Sequence, residues 1–473
     1  MVVGDNLNSV QLLVVGGGPG GYSVAERCAA EGMRVALVEQ SEVGGACLNV
    51  GCIPSKALLH VAQIAASAKD SGNLGVDLSA TVDLARAQIW MQSIVRRLQG
   101  RVASLLESRK VDVIRGTLRF EGPRRAIVTG DMNPLRLEFD DVVIATGSRP
   151  IELAQLPVDS HQVVDSTGAL ALTTLPASMA IVGAGYIGVE IGTAFAKLGS
   201  KVTIVDAADR ILSSIMEPLT RPVARKLTEL GIDVVLDATV NGRTEEGLVI
   251  SRQNEESELI DAEIILSAVG RRPNTDGLDL EHLGLELMPT GHIRVDAQRR
   301  AAPNVYALGD VTEGPALAHK ATAEAEVVAR AVRGLGAYFE PVCVPTVVFS
   351  DPEIVSVGMT EEEAAGKGLD ARSVRRPLGA SGRALTLDRT DGFMELIYHT
   401  QDRIVLGIHM VGAGVSELAG EAALALEMAA TVDDLALTIH PHPTLAEELS
   451  ELASAAVANL GEPAHSFQGV LSR

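Results

Sequence analysis

Short apolar runs that end in glycine set the rhythm of this chain. Leu12-Leu13-Val14-Val15 runs straight into Gly16-Gly17-Gly18-Pro19-Gly20-Gly21. A helical pattern follows over residues 22–31, and a second apolar run over 34–38 closes on Glu39. The same order returns later. Ala180-Ile181-Val182 leads into Gly183-Ala184-Gly185-Tyr186-Ile187-Gly188, a helix reaches Leu198, and the run 201–205 closes on Asp206. Both turns read Gly-x-Gly-x-x-Gly, and in each unit the acid stands 23 residues beyond the first glycine. One such fingerprint is weak. Two of them, each in strand–turn–helix–strand context, predict two nucleotide-binding units.

Residue types follow from that chemistry. The glycines permit a tight turn and let a pyrophosphate approach the amides at a helix N-terminus. Glu39 and Asp206 are placed to accept hydrogen bonds from ribose hydroxyls. Asp206 would also repel a 2′-phosphate, which favours NAD over NADP, although Arg210 four residues on weakens that preference. Further apolar runs end in the same manner. Residues 142–145 end in Thr146-Gly147, 264–269 in Gly270-Arg271-Arg272-Pro273, and 305–308 in Gly309-Asp310, ahead of an Ala-rich helix from about Leu317. Glycine at a strand end fits close backbone approach to a ligand, and Gly309-Asp310 suits hydrogen bonding to a polyol. Pro341 and Pro345 mark a boundary. Beyond them a strand over 404–410 and a helix over 417–429 read as an α+β domain without a nucleotide signature.

Composition narrows the function classes. At 473 residues the chain is too long for one core, and 47% hydrophobic with 21% charged residues marks a folded globular protein. A formal net charge of −21 disfavours nucleic acid and anionic membrane surfaces as partners. No uncharged apolar run reaches membrane-spanning length. The first strand begins near Gln11, leaving no room for a presequence, so a cytoplasmic, bacterial-type protein is expected. Four cysteines in such a chain do not make a secreted disulfide framework.

Two of the four, Cys47 and Cys52, stand five apart in Gly44-Gly45-Ala46-Cys47-Leu48-Asn49-Val50-Gly51-Cys52-Ile53-Pro54-Ser55-Lys56. On one regular helix the axial rise alone would separate them by roughly 7.5 Å, beyond the ~7 Å Cα limit for a disulfide. Gly51 and Pro54 offer a way out. A helix starting at Pro54 leaves Cys47 in a loop and Cys52 just before the helix, where the positive end favours a thiolate. A redox pair is the reading this favours; two buried reduced cysteines or half a zinc site are the alternatives. The spacing is not Cys-x2-Cys and no second Cys/His pair stands at ligand spacing, so no metal is expected.

Near the far end, Ile439-His440-Pro441-His442-Pro443-Thr444-Leu445-Ala446-Glu447 brackets a histidine with prolines just before a helix. Glu447, five residues past His442, is within reach of its imidazole if the turn folds back, which would make a general base suited to neutral pH. Thr444-x-x-Glu447 is equally a capping box, and Glu447 can serve either role or both.

Taken together, GGGPGG, GGACLNVGCIPSK, VGAGYIGVE and HPHPTLAE resemble the pyridine nucleotide–disulfide oxidoreductases over nearly the whole chain, and within them the branch that oxidises protein-bound dihydrolipoyl groups. The resemblance implies an α/β fold with two Rossmann-like domains, a central domain and a C-terminal α+β dimerisation domain. The implied limits are 1–152 for FAD, 153–273 for NAD, 274–345 for the central domain and 346–473 for the interface. FAD would be held through Gly16, Gly18, Gly21, Glu39, Lys56, Gly116, Thr146, Gly147, Asp310, Ala318 and His319. NAD would be held through Gly183, Gly185, Gly188, Asp206, Val240 and Gly270, with Glu190 as the partner of Lys56. Cys47 would exchange with substrate and Cys52 would face the flavin. His442 and Glu447 would act as the base from the second subunit of a homodimer. The implied partner is a lipoyl domain of an acyltransferase or of a glycine-cleavage H-protein. Ala46, Pro441 and Ala446 depart from the commonest family residues without removing a reacting atom. Glutathione and mercuric reductases share the fold. The former usually continue Val-Pro-Lys-Lys after the second cysteine, and the latter need a C-terminal cysteine pair, whereas this chain ends Gly469-Val470-Leu471-Ser472-Arg473.

Overall fold

Parallel pairing explains why the first apolar runs are almost continuous. The structure is a computed structural model that describes residues 7–130, 133–252 and 256–460; the terminal Gly469–Arg473 segment lies outside them. Strand β1 (Leu7–Val15) lies between Leu135–Ile144 and β2 (Val35–Glu39), parallel to both. Val305–Ala307 and Asp112–Arg115 extend the same sheet in parallel on either side. Both faces are covered. Leu12, Val14, Val35 and Leu37 share a core with Val24, Ala25 and Cys28 of helix α1 (Pro19–Ala30) and with Val328 of helix Ala318–Ala331. Leu13, Val15, Ala36 and Val38 pack instead with Leu118, Phe120, Ala126 and Val128 of a hairpin. A strand buried on both sides has no use for alternating polarity, so it reads as a solid apolar run.

The second apolar rhythm builds strands of the same kind. Ser178–Val182 pairs in parallel with Ile264–Ser267, which pairs with Val163–Val164. Lys201–Val205 pairs in parallel with Asp233–Val235. The helix after the second fingerprint spans Tyr186–Leu198. Past Pro345 comes an antiparallel five-stranded sheet in the order Thr346–Val348, Glu353–Gly358, Val405–Gly412, Phe393–His399, Ala371–Pro377. Its core residues Val355, Leu396 and Ile408 pack with Ala422, Leu426, Leu449 and Leu452 of two helices, Ala419–Glu427 and Glu447–Leu460.

By contacts the chain forms two compact units. One comprises Met1–Gly183, Lys197–Lys201 and Thr239–Glu340; the other comprises Ala184–Ala196, Val202–Ala238 and Pro341–Arg473. Element limits shift for local reasons. Helix α1 starts at Pro19 rather than Tyr22, because a proline without an N–H is well placed in a first turn. The helix read over 417–429 is a 3-10 turn, Val415–Leu418, followed by Ala419–Glu427. Among the described residues no helix is long and apolar enough to cross a membrane.

Candidate active site and nucleotide cradles

The cysteine pair spans a break between two helices. A short helix α2 (Gly45–Val50) carries Cys47, and helix α3 (Cys52–Asp70) opens on Cys52 itself. Cys47 therefore lies in a helix rather than in the loop expected from sequence, and the second helix begins at Cys52 rather than at Pro54. Gly51, at φ −130° and ψ −105°, makes the break within one residue, so a second helix fits where a loop was read. The break leaves little room: a Cβ on Gly51 would lie 2.9 Å from the Ala46 carbonyl oxygen. Cys47 is half-buried and Cys52 exposed, both as free thiols. A hydrogen bond with Cys52, together with burial, pushes the Cys47 thiol far above its usual range, while Lys56 one turn on opposes that shift. Helix α2 starts against the first fingerprint. Gly44 N–H donates to Gly17 O at 2.8 Å, and a Cβ on Gly45 would come within 2.5 Å of Gly18 Cα.

Register gathers the first cradle at one sheet edge. Ile144 is level with both Val15 and Ala307, so Gly16, Thr146-Gly147 and Gly309-Asp310 emerge together at the carboxyl ends of parallel strands. Gly16 sits at φ +102°, and a Cβ there would lie 2.4 Å from Ala145 O. Gly18 precedes α1, and Gly21 lies buried within it. Glu39 ends β2, and Gly116 N–H donates to its carbonyl at 2.9 Å. Thr146 Oγ1 donates to Asn274 O at 2.7 Å, and Asn274 returns bonds to Thr146 O and Gly147 O. Asp310 accepts from Ser148 Oγ at 2.6 Å, and that hydroxyl accepts from Arg271 Nε at 2.8 Å. Ala318 and His319 form the first turn of helix Ala318–Ala331. A narrow glycine turn, a helix start and an acid at a strand end fit a dinucleotide such as FAD.

The second fingerprint repeats the glycine turn and the carboxylate contacts of the first. Gly183, at φ +111°, would place a Cβ 2.4 Å from Ala268 O. Ala184 N–H donates to Asp206 Oδ2 at 2.5 Å, as Gly17 N–H donates to Glu39 Oε2 at 2.7 Å. Ala208 N–H bonds Asp206 Oδ1 at 2.8 Å, as Ser41 N–H bonds Glu39 Oε1 at 2.9 Å. Gly185 accepts from Val189 N–H, Gly188 and Glu190 lie in the following helix, and Glu190 accepts from Phe349 N–H at 2.9 Å. Val240 O accepts from Gln155, and Gly270 O from Ile151 N–H. Arg210 is engaged by the carbonyls of Ile215, at 2.6 Å, and of Ser213. Lys56 and Glu190 belong to different compact units.

His442 Nδ1 stands 2.7 Å from Glu447 Oε2. Glu447 also closes the capping contacts, with Thr444 N–H reaching its Oε1 at 3.4 Å and its own N–H reaching Thr444 Oγ1 at 3.3 Å. One carboxylate thus serves both the ring and the helix start. His440 has its own acid, Glu421, 2.7 Å from Nε2, with Thr438 O 3.0 Å from Nδ1. Sequence reasoning missed Ser148, Arg271, Asn274 and Glu421. Arg271 stood within a quoted strand end, but its meeting with Ser148 depends on antiparallel pairing between Ser148–Pro150 and Arg271–Pro273.

A family model described as pyridine nucleotide-disulphide oxidoreductase matches residues 10–325, and the dimerisation domain of the same family matches 344–453. The chain belongs to the pyridine nucleotide-disulphide oxidoreductase family. As a member of that family it is an α/β oxidoreductase with FAD and NAD as cofactors, and it forms a homodimer through the dimerisation domain. Among relatives, the dihydrolipoyl dehydrogenase of Geobacillus stearothermophilus is 43% identical over 98% of this chain and 99% of its own. That of Bacillus subtilis is 42% identical over 98% and 99%. Among solved structures, LpdA of Mycobacterium tuberculosis superposes with TM-score 0.87 at 27% identity, covering 94% of this chain and 100% of its own. The HOCl-induced flavoprotein disulfide reductase RclA of Escherichia coli gives 0.85 at 30% identity, covering 95% and 100%. Among the described residues no cluster of three His, Cys, Asp or Glu side chains could hold a metal ion.

Proposed function

We propose that this protein is a dihydrolipoyl dehydrogenase, oxidising the dihydrolipoyl group of a partner's lipoyl domain and reducing NAD. The observation that carries the reading is the hydrogen-bonded Cys47–Cys52 pair, set across the break between α2 and α3, with α2 docked against the first dinucleotide fingerprint. The names of relatives that match end to end support the same substrate. His442, oriented by Glu447 and supplied by the second subunit, takes the proton of one substrate thiol. The resulting thiolate attacks Cys47 of a Cys47–Cys52 disulfide, and Cys52 leaves as thiolate. The second substrate thiolate then attacks the mixed disulfide, which frees Cys47 and the cyclic disulfide product. FAD would be held by Gly16, Gly18, Gly21 and Asp310 and, when bound, would supply the two-electron acceptor between the reduced Cys47–Cys52 pair and NAD.

The domain limits 1–152, 153–273, 274–345 and 346–473 belong to this proposal, as do a cytoplasmic location and the lipoyl-bearing acyltransferase or H-protein partner. Arg210 is spent on loop carbonyls, which leaves Asp206 to set the preference for NAD. Replacing Cys47 with Ser should lower dihydrolipoamide:NAD turnover by at least about 10³-fold while FAD absorbance stays with the protein. Near-normal turnover in that variant would sink the proposal.

A further inference from the structure

A buried charge cluster in the first unit has no part in the chemistry above. Glu324 is 0% exposed, and Lys320, one turn earlier on helix Ala318–Ala331, is 3% exposed. Lys320 Nζ lies 3.0 Å and Arg299 Nε 3.4 Å from Glu324 Oε1. The Arg299 guanidinium stacks 4.4 Å from the Phe339 ring centroid, and burial holds its pKa below the usual range against the pull of Glu324 and Asp296. Glu324 Oε2 accepts Gly309 N–H at 2.6 Å. Lys320 donates to Gly309 O at 3.3 Å and to Thr312 Oγ1 at 3.2 Å, and Thr312 Oγ1 donates to Gly309 O at 2.8 Å. Glu324, Gly309 O and Thr312 thus take up all three ammonium donors.

Burying such charges costs desolvation, and well-packed apolar replacements are often neutral or stabilising, so stability alone is a weak reason to keep them. What the cluster fixes is local. It grips the peptides on both sides of Gly309, which sits at φ +75°, immediately before Asp310. Ser148 donates to the Asp310 carboxylate and is itself held by Arg271. We propose that Glu324 and Lys320 are positioning residues for flavin nucleotide binding, clamping Gly309 so that Asp310 is held ready for the polyol of FAD. This rests on the reading of Asp310 as an FAD ligand.

The test is the rate of FAD release from the holoenzyme, followed by flavin fluorescence on dilution, beside the NADH dissociation constant. Glu324→Gln keeps an acceptor for Gly309 but strips the ion pairs. Thr312→Val keeps the ion pairs but removes the hydroxyl bridge. We expect FAD release to quicken about tenfold in the first and several-fold in the second, with NADH affinity within about twofold of wild type. A merely structural cluster would lower the melting temperature and leave release unchanged. Release within about twofold of wild type in folded Glu324→Gln overturns the clamp. If that variant does not fold, the same result in Thr312→Val overturns it. Asp310→Ala separates the two ideas. Normal FAD retention there overturns the ligand reading and the clamp built on it, whereas FAD loss with unchanged release in the clamp variants overturns the clamp alone.

Discussion

Two histidines one proline apart have the same kind of partner in opposite surroundings. The His442 side chain is 78% exposed and meets Glu447, whereas that of His440 is 5% exposed and meets Glu421 and a backbone carbonyl. An exposed ring braced by an acid can reach a proton on a substrate; a ring occupied on both sides braces its own loop. His442→Gln should therefore cut dihydrolipoamide oxidation about 10²- to 10³-fold, and His440→Gln about tenfold or less. Steady-state kinetics of the two variants checks this, and the reverse ranking would assign the base to His440. The His442–Glu447 contact was legible in the sequence because its partners are five residues apart along one turn. Glu421 was not, because it comes from another helix.

At the scale of elements, the redox motif shows how little backbone separates one reading from another. Sequence spacing required an interruption between Cys47 and Cys52, and only its form was misread. A single glycine dihedral pair replaces a loop, in a space where a Cβ would crowd the Ala46 carbonyl. The C-terminal sheet holds a buried titratable group that the proposed chemistry does not use. His409 is fully buried on strand Val405–Gly412, with Ser356 Oγ 2.9 Å from Nδ1 and Met359 O 3.1 Å from Nε2. Burial holds its pKa below the ordinary 6.5, although the Met359 carbonyl, Glu395 and Glu363 pull the other way. The unfolded chain then binds a proton that the folded sheet refuses. Stability contributed by His409 is present above pH 6.5 and is lost as pH falls below it. Melting temperatures measured across that window should fall with acidification, and His409→Gln should flatten the slope. An unchanged slope would assign the acid sensitivity to other groups.

For the whole molecule, the decisive question is which chains share a site. The cysteine pair and the His442–Glu447 pair lie in different compact units, and the family's dimerisation domain covers 344–453. A base supplied from the second subunit predicts complementation. Cys47→Ser and His442→Gln dimers, each inactive, should regain about a quarter of wild-type activity after dissociation and random reassociation. Half of the dimers are then hybrids, each with one intact site. No recovery, with hybrid formation verified by differently tagged chains, would place both halves of the site on one chain.

By itself the sequence determined what is local and periodic. Two glycine fingerprints at matched spacing, a cysteine pair interrupted by glycine, and an acid one turn past a histidine each express their chemistry within a few residues. Tertiary structure alone decided which distant groups meet. It brought Ser148, held by Arg271, to Asp310, gave Arg210 two loop carbonyls as partners, gave His440 the Glu421 carboxylate and wrapped Gly309 in a buried ion pair. Those partners stand 11 to 162 residues apart where strands pair or helices pack, apart from the local Arg210 contacts. Spacing along a chain carries no signal for contacts that only sheet register and buried packing create.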